Sequence, residues 1–281
     1  MPSTVFDNQA LLENDPNYLG TLAALPDAER EALLYGNWDT FSGQVFSEWQ
    51  NDPKHYVDGK WTHVISPFAI PHNWEIVRVF DFGYSHPFAV NWLAIDEEQK
   101  VYVIDELYGW NGEPNQGARL DPYQIAKRIK GIEDSSPMLR GRNITGIADP
   151  SIWDKSRGES IARIMGKHPN YLVFSPGKND RLSGLMQYHY RMHFDKNGEC
   201  LFQVFENCKN TIRTLPALVY DEKHIEDIDT DGEDHIYDAI RYGLMEFIVA
   251  PRAETEMPDL SNDPLNMKRN LYFSHKKIEI F

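Results

Sequence analysis

Three β-rich runs follow one another too closely for anything but an antiparallel meander. EIVRVFD (75–81), FAVNWLAID (88–96) and VYVIDELYG (101–109) are joined by short connections such as the polar EEQK. A parallel crossover needs a dozen residues or more, and these gaps do not offer them. Helix and strand patterns then alternate. DPYQIAKRIKGI (121–132) has Ile125, Ile129 and Ile132 at helical spacing, Asp121 as cap and Pro122 in the first turn. NITGIADP (143–150) reads as a short buried strand, SIARIMGK (160–167) as a helix, YLVFSP (171–176) as a strand, NDRLSGLMQYHYRM (179–192) as a helix and ECLFQVF (199–205) as a strand. NCKNTIRTLPALVY (207–220) reads as a helix interrupted near Pro216. HIYDAIRYGLMEFIV (235–249) reads as a long final helix with Ile236, Ile240, Leu244 and Phe247 on one stripe.

Three antiparallel strands followed by βα units predict an α/β fold, a ribonuclease H-like mixed sheet with helices on both faces. In that topology the first and fourth strands are neighbours. Asp81 ends the first and Asp149 the fourth, so their carboxylates emerge side by side, and Asp238 in the first turns of the last helix adds a third. Carboxylates this close cannot all stay ionised without cations. Hard oxygen ligands suit Mg²⁺ or Mn²⁺, and two such ions serve an in-line phosphoryl displacement. At ~100° per residue Asp234, His235 and Asp238 share one helix face, and Asp234 also suits the positive end of the helix.

The formal charge is −15, but it is uneven: residues 119–196 carry +6 and the remainder −21. The basic stretch permits nucleic acid as a partner, with Lys178 and Arg181 nearest the expected cleft. Two cysteines, Cys200 and Cys208, with no C-x-x-C pair, exclude a disulfide framework and a thiolate zinc site and point to a reducing compartment. No apolar run reaches the ~18–20 residues of a membrane helix, and the N-terminus lacks the pattern of a secretory signal. Residues 1–50 read as short helices starting near Asp15-Pro16 and Pro26-Asp27, 51–74 as loop, and the tail from Pro251 as polar and aperiodic.

VFDFGYSHPFAV (79–90), VYVIDELYG (101–109), GIADPS (146–151), SPGKNDRLSGLMQY (175–188) and DHIYDAIRYGL (234–244) carry a resemblance in both order and spacing. With TVFDN (4–8), LLYGNWD (33–39) and GQVFSEW (43–49), they make roughly residues 4–250 resemble the C-terminal nuclease region of the large terminase subunit of tailed double-stranded DNA bacteriophages. The resemblance implies a connector remnant over 1–74, a nuclease domain over 75–250 and a tail over 251–281. It implies an endodeoxyribonuclease that cuts concatemeric viral DNA during genome packaging by two-metal phosphodiester hydrolysis. Asp81, Asp149 and Asp238 match the metal-binding acids, His235 lies where relatives often have an extra polar group near the metals, and Lys178 matches a basic position able to touch a phosphate. From the helix face, Asp234 or His235 is expected to support Asp238 at the metal site. The implied partners are double-stranded DNA, the portal protein, the small terminase subunit and an ATPase motor domain, in the host cytoplasm at the procapsid portal rather than in the virion. The 281 residues contain no G-x-x-x-x-G-K-[ST] segment, so no ATPase activity is expected, and the chain reads as an excised fragment or a short product. The alternatives are another ribonuclease H-like enzyme, of resolvase or transposase type, and a non-catalytic module that grips DNA or the portal.

Overall fold

Alternation along the strands decides which helix covers which face. The computed structural model describes residues 43–251 except 157, 222 and 225, so the helices expected before residue 43 and nearly all of the tail lie outside the described residues. The expected meander is present as β2 (Glu75–Asp81), β3 (Ala89–Ile95) and β4 (Val101–Tyr108). After it come α1 (Pro122–Ser135), β5 (Ile144–Ala148), α2 (Ile161–Met165), β6 (Ser175–Pro176), α3 (Arg181–Met192), β7 (Phe202–Phe205), α4 (Lys209–Thr214) and α5 (His235–Leu244). A two-residue strand, β1 (Val64–Ile65), precedes them all. The sheet order is β1-β7-β4-β3-β2-β5-β6. β2/β3 and β3/β4 pair antiparallel, and β2/β5, β5/β6, β4/β7 and β1/β7 pair parallel. The ribonuclease H-like mixed sheet read from the sequence is therefore present, extended at the β4 edge by β7 and β1.

Successive side chains on a strand point to opposite faces. On one face, Arg78 reaches Glu133 of α1 through a 2.6 Å ion pair, and the Trp92 indole N–H donates to the same carboxylate at 3.1 Å. Both partners of that pair are almost fully buried, which makes Glu133 the anchor of α1. On the other face α5 lies so close that a Cβ on Gly243 would come within 2.7 Å of Val79 and Leu93. Only glycine allows that approach. Asp81 has the parity of Val79 and so faces α5. Helices thus cover both faces, as expected.

Local rules explain most elements. α1 starts with a complete capping box: Asp121 accepts from the Gln124 N–H at 2.9 Å and Gln124 from the Asp121 N–H at 3.3 Å. Three expectations are corrected. The loop-like 51–74 contains β1, which pairs with β7, and Val45 and Phe46 join the same hydrophobic core. The strand expected over 171–176 shrinks to 175–176, because the Leu172 N–H goes to Met165 and the Val173 carbonyl is taken by Arg78. The last helix stops at Leu244 rather than 249. Beyond it Arg191 of α3 donates to the Phe247 carbonyl, and the Gln187 amide exchanges hydrogen bonds with the Val249 backbone.

His63 ties the 43–66 segment to the body. Its Nδ1 accepts the Gln50 N–H at 3.0 Å, its Nε2 donates to the Met192 carbonyl at 2.8 Å, and the ring stacks on Trp49. Burial pushes its pKa down from 6.5 to about 4. The unfolded chain therefore binds a proton between pH 6.5 and 4 that the folded chain does not, so stability present above pH 6.5 is lost as pH falls. A difference of that size is worth up to ~3 kcal/mol. Denaturant unfolding of wild type and His63→Gln should show a stability difference that shrinks steadily from pH 7 to pH 4. A constant difference would show that His63 is not buried neutral.

Candidate active site

Parallel pairing of β2 with β5 sets Phe80 opposite Ala148, and the Asp149 N–H donates to the Phe80 carbonyl at 3.0 Å. Asp81 and Asp149 consequently leave adjacent strands at the same end of the sheet. α5 packs across that end and brings Asp234, His235 and Asp238. The three acids expected from the sequence, and both of their expected helper residues, are drawn together.

Each of the three acids has a donor of its own. Asp149 caps the short 3₁₀ turn Pro150–Trp153; it accepts the Ser151 N–H at 2.5 Å and the Tyr242 hydroxyl of α5. Asp238 accepts from Arg241 Nε at 2.9 Å and lies 3.5 Å from Arg181 Nη1. Arg241 is fully buried, and its stem crosses Gly184 of α3, where a Cβ would fall 2.4 Å from Arg241 Cγ. A glycine costs a helix interior ~1 kcal/mol, and here it makes room for the guanidinium that holds Asp238. Asp81 has its Oδ2 3.4 Å from His235 Nδ1. Asp234 occupies the cap position of α5 yet makes no side-chain capping bond; its carboxylate lies 3.7 Å from His235 Nδ1.

The electrostatics show what that crowding costs. Burial, with Asp238 and Asp149 nearby, raises Asp81 to about 6 despite the hydrogen bond from His235. Burial and Asp238 raise Asp234 to about 7. Burial opposes charge on the His235 ring, but the bond to Asp81 and the surrounding acids outweigh it and hold its pKa above the usual value.

The two expected DNA contacts are placed differently from each other. Lys178 is half exposed, donates to the Met245 carbonyl at 3.0 Å and lies 3.6 Å from Glu246. Arg181 is bound to acids: its Nε donates to Asp227 at 2.7 Å while Nη1 faces Asp238. Sequence reasoning missed Tyr242 and Arg241 on α5, whose spacing of four and three residues from Asp238 was the available signal. It also missed Asn115, whose Oδ1 lies 3.0 Å from His235 Nε2 and which sits in a loop with no periodicity to flag it.

The donor set, hard oxygens with two buried carboxyls reluctant to ionise, suits a hard divalent cation. Among the described residues, however, no three His, Cys, Asp or Glu side chains converge on one ion-sized point. Asp149 and Asp238 are turned onto Tyr242 and Arg241 instead. The chemistry of the residues fits a metal, and their present rotamers spend that capacity on internal donors.

A raised carboxyl pKa stabilises the fold below its unfolded value and stops doing so as pH climbs through its folded value. For Asp81 that window runs from about 4 to about 6. Asparagine at 81 keeps an oxygen for His235 and removes the cost of ionisation. In chelator at pH 8, Asp81→Asn should therefore melt higher than wild type by ~2 °C or more. The gap should close near pH 4. An equal or lower melting temperature at pH 8 would show that Asp81 bears no such cost of ionisation.

No protein-family model matches the chain. The large terminase subunit of Salmonella phage P22 is 22% identical over 247 residues, which cover 86% of this chain and 43% of that protein. The chain spans less than half the length of the curated relatives it matches. Among solved structures, the P22 large terminase nuclease domain superposes with a TM-score of 0.52 at 19% identity, covering 73% of this chain and 93% of that one. The large terminase of a thermophilic bacteriophage, in complex with ADP, gives 0.56 at 17%, covering 86% and 53%. The chain has the ribonuclease H-like fold of a large terminase nuclease domain and is similar in sequence, over most of its length, to the large terminase subunits of phages.

Proposed function

We propose that the chain is a metal-dependent endodeoxyribonuclease that cuts concatemeric viral DNA during genome packaging, as the nuclease part of a large terminase subunit. The observation that carries the reading is the pair Asp81 and Asp149 on adjacent parallel strand ends, with Asp238 packed over them from α5. Asp81, Asp149 and Asp238 would hold the divalent ions, Mg²⁺ or Mn²⁺. Bound there, such ions supply the positive charge that offsets a phosphodiester's own and lower the pKa of an attacking water.

The chain's own residues do the rest. β2 and β5 fix the spacing of the first two carboxylates. Tyr242 and Arg241 satisfy the Asp149 and Asp238 carboxylates, and ions would have to compete with them for those oxygens. Arg181 orders the entrance by holding Asp227 and Asp238 together, and Lys178 offers an exposed ammonium for the backbone of duplex DNA. The portal, the small terminase subunit and an ATPase motor are the partners this role requires, and the host cytoplasm is its setting.

Purified protein should nick supercoiled plasmid with Mn²⁺ at least as well as with Mg²⁺, and not at all in excess EDTA. Asp81→Ala, Asp149→Ala and Asp238→Asn should each abolish nicking while circular dichroism stays native. Cutting that survives in chelator, or in any of the three variants, would sink the two-metal proposal. A strong preference for a four-way junction over plasmid would move the assignment to a resolvase.

With no phosphate-binding loop of the Walker type in its 281 residues, the chain should turn over no ATP. Phosphate release above background from pure protein, with or without DNA, would overturn this.

A further inference from the structure

Three chain segments that flank the acid cluster meet at one side chain, Asn115. Its Nδ2 donates to the Asp231 carbonyl at 3.0 Å, just ahead of α5. A carbonyl only accepts, so this bond fixes which end of the amide is which and turns Oδ1 toward the imidazoles. Oδ1 lies 3.0 Å from His235 Nε2 and 3.2 Å from His86 Nδ1. An amide oxygen also only accepts, so His235 Nε2 must carry its hydrogen. The opposite edge of that ring, Nδ1, then faces Asp81 Oδ2 at 3.4 Å.

The backbone is built to hold Asn115 there. It sits at φ 56°, in the left-handed region that asparagine tolerates better than most residues. Its loop is closed by the Trp110–Gly117 bridge and by the bond from Ala118 N–H to the Gly109 carbonyl at 2.7 Å. Gly117 donates to the Ser85 carbonyl at 2.8 Å and lies so close that a Cβ would come within 2.3 Å of the His86 carbonyl. The loop that carries Asn115 is thereby pinned to the segment that leaves β2 immediately after Asp81.

We propose that Asn115 is a positioning residue of the active site: its side-chain oxygen fixes the His235 ring so that Nδ1 is presented to Asp81. The side chain acts on Asp81 only through His235. A residue that merely fastened loops would need no acceptor aimed at an imidazole whose far edge meets a catalytic acid. The catalytic consequence rests on the nuclease reading above, whereas the hold on the ring does not.

Two measurements on the full chain test this. Asn115→Gly keeps the positive φ available and removes only the side chain. With ¹⁵N-labelled histidine and no metal, the wild type should show a protonated, hydrogen-bonded His235 Nε2, assigned by its loss in His235→Ala. That signal should disappear or average with solvent in Asn115→Gly, and its persistence there would overturn the proposal. In plasmid nicking, Asn115→Gly and His235→Ala should each lower kcat on the order of 10-fold or more, as loss of a group supporting a ligand does. The double variant should be no slower than His235→Ala alone. Losses that multiply would mean that Asn115 acts independently of His235 and would refute its positioning role. If the wild type fails to nick, the nuclease reading falls, and the ring signal still decides whether Asn115 holds His235.

Discussion

The parallel pairing of β2 and β5 is the constraint on which the rest of the site depends. A parallel ladder starts both strands at one end of the sheet and ends both at the other. β2 ends in Asp81 and β5 is followed at once by Asp149, so the pairing forces the two together. The ladder that stabilises the sheet and the repulsion that strains the site are two results of the same register. A one-residue slip would turn Asp81 to the α1 face and separate the pair.

Everything packed against that end can be understood as compensation. Tyr242 and the Ser151 N–H serve Asp149, Arg241 and Arg181 serve Asp238, and His235 serves Asp81. Asp234 is less well served, buried at a helix cap without a capping bond, and its pKa climbs to about 7. The compensating donors come from α5, α3 and the turn after β5, so the acids in turn lock these elements to the sheet. Gly184 and Gly243 show that close approach was favoured over helix propensity where α5 meets α3 and the sheet. Under the proposed function this balance is provisional, since ions at the cleft would compete with Tyr242 and Arg241 for the same oxygens.

The order of elements was legible in the sequence because it rests on local signals. Strand runs of period two, the Asp121–Pro122 start and the acid ending each strand are all read within a few residues of themselves, and the strand order of the core followed. The placement of Asp81, Asp149, Asp238 and His235 followed too, because strand ends and helix faces carry it. What escaped depends on partners far along the chain. Arg191 and Gln187 capture the backbone past Leu244 and end a helix whose apolar stripe runs on to Phe247. Arg78 takes the Val173 carbonyl and removes a strand whose alternation, exposed at Tyr171 and Val173, is otherwise regular. Asn115 sits in a turn whose composition marks it only as a turn.

The basic stretch 119–196 shows the same gap between linear pattern and folded surface. Arg191 is buried and bonded to a carbonyl and an amide, and Arg142 binds the carbonyls of Ile70, Pro71 and Trp74. Arg181 is held by Asp227 and Asp238, Lys130 pairs with Asp134, and Arg163 and Lys167 share Glu159. Lys127 and Arg128 are exposed, but they lie on α1, which anchors to the sheet face opposite α5. Much of the basic charge in this stretch is therefore already engaged, while Arg119, Arg140, Lys155 and Lys178 remain exposed. Phosphate binding draws on cations that are free to replace counterions, and paired guanidiniums are not. In the proposed reaction, ions that neutralise Asp81, Asp149 and Asp238 would also lift the repulsion between this cleft and a DNA backbone. Metal and DNA would then favour each other's binding through charge alone, with no movement of the fold required.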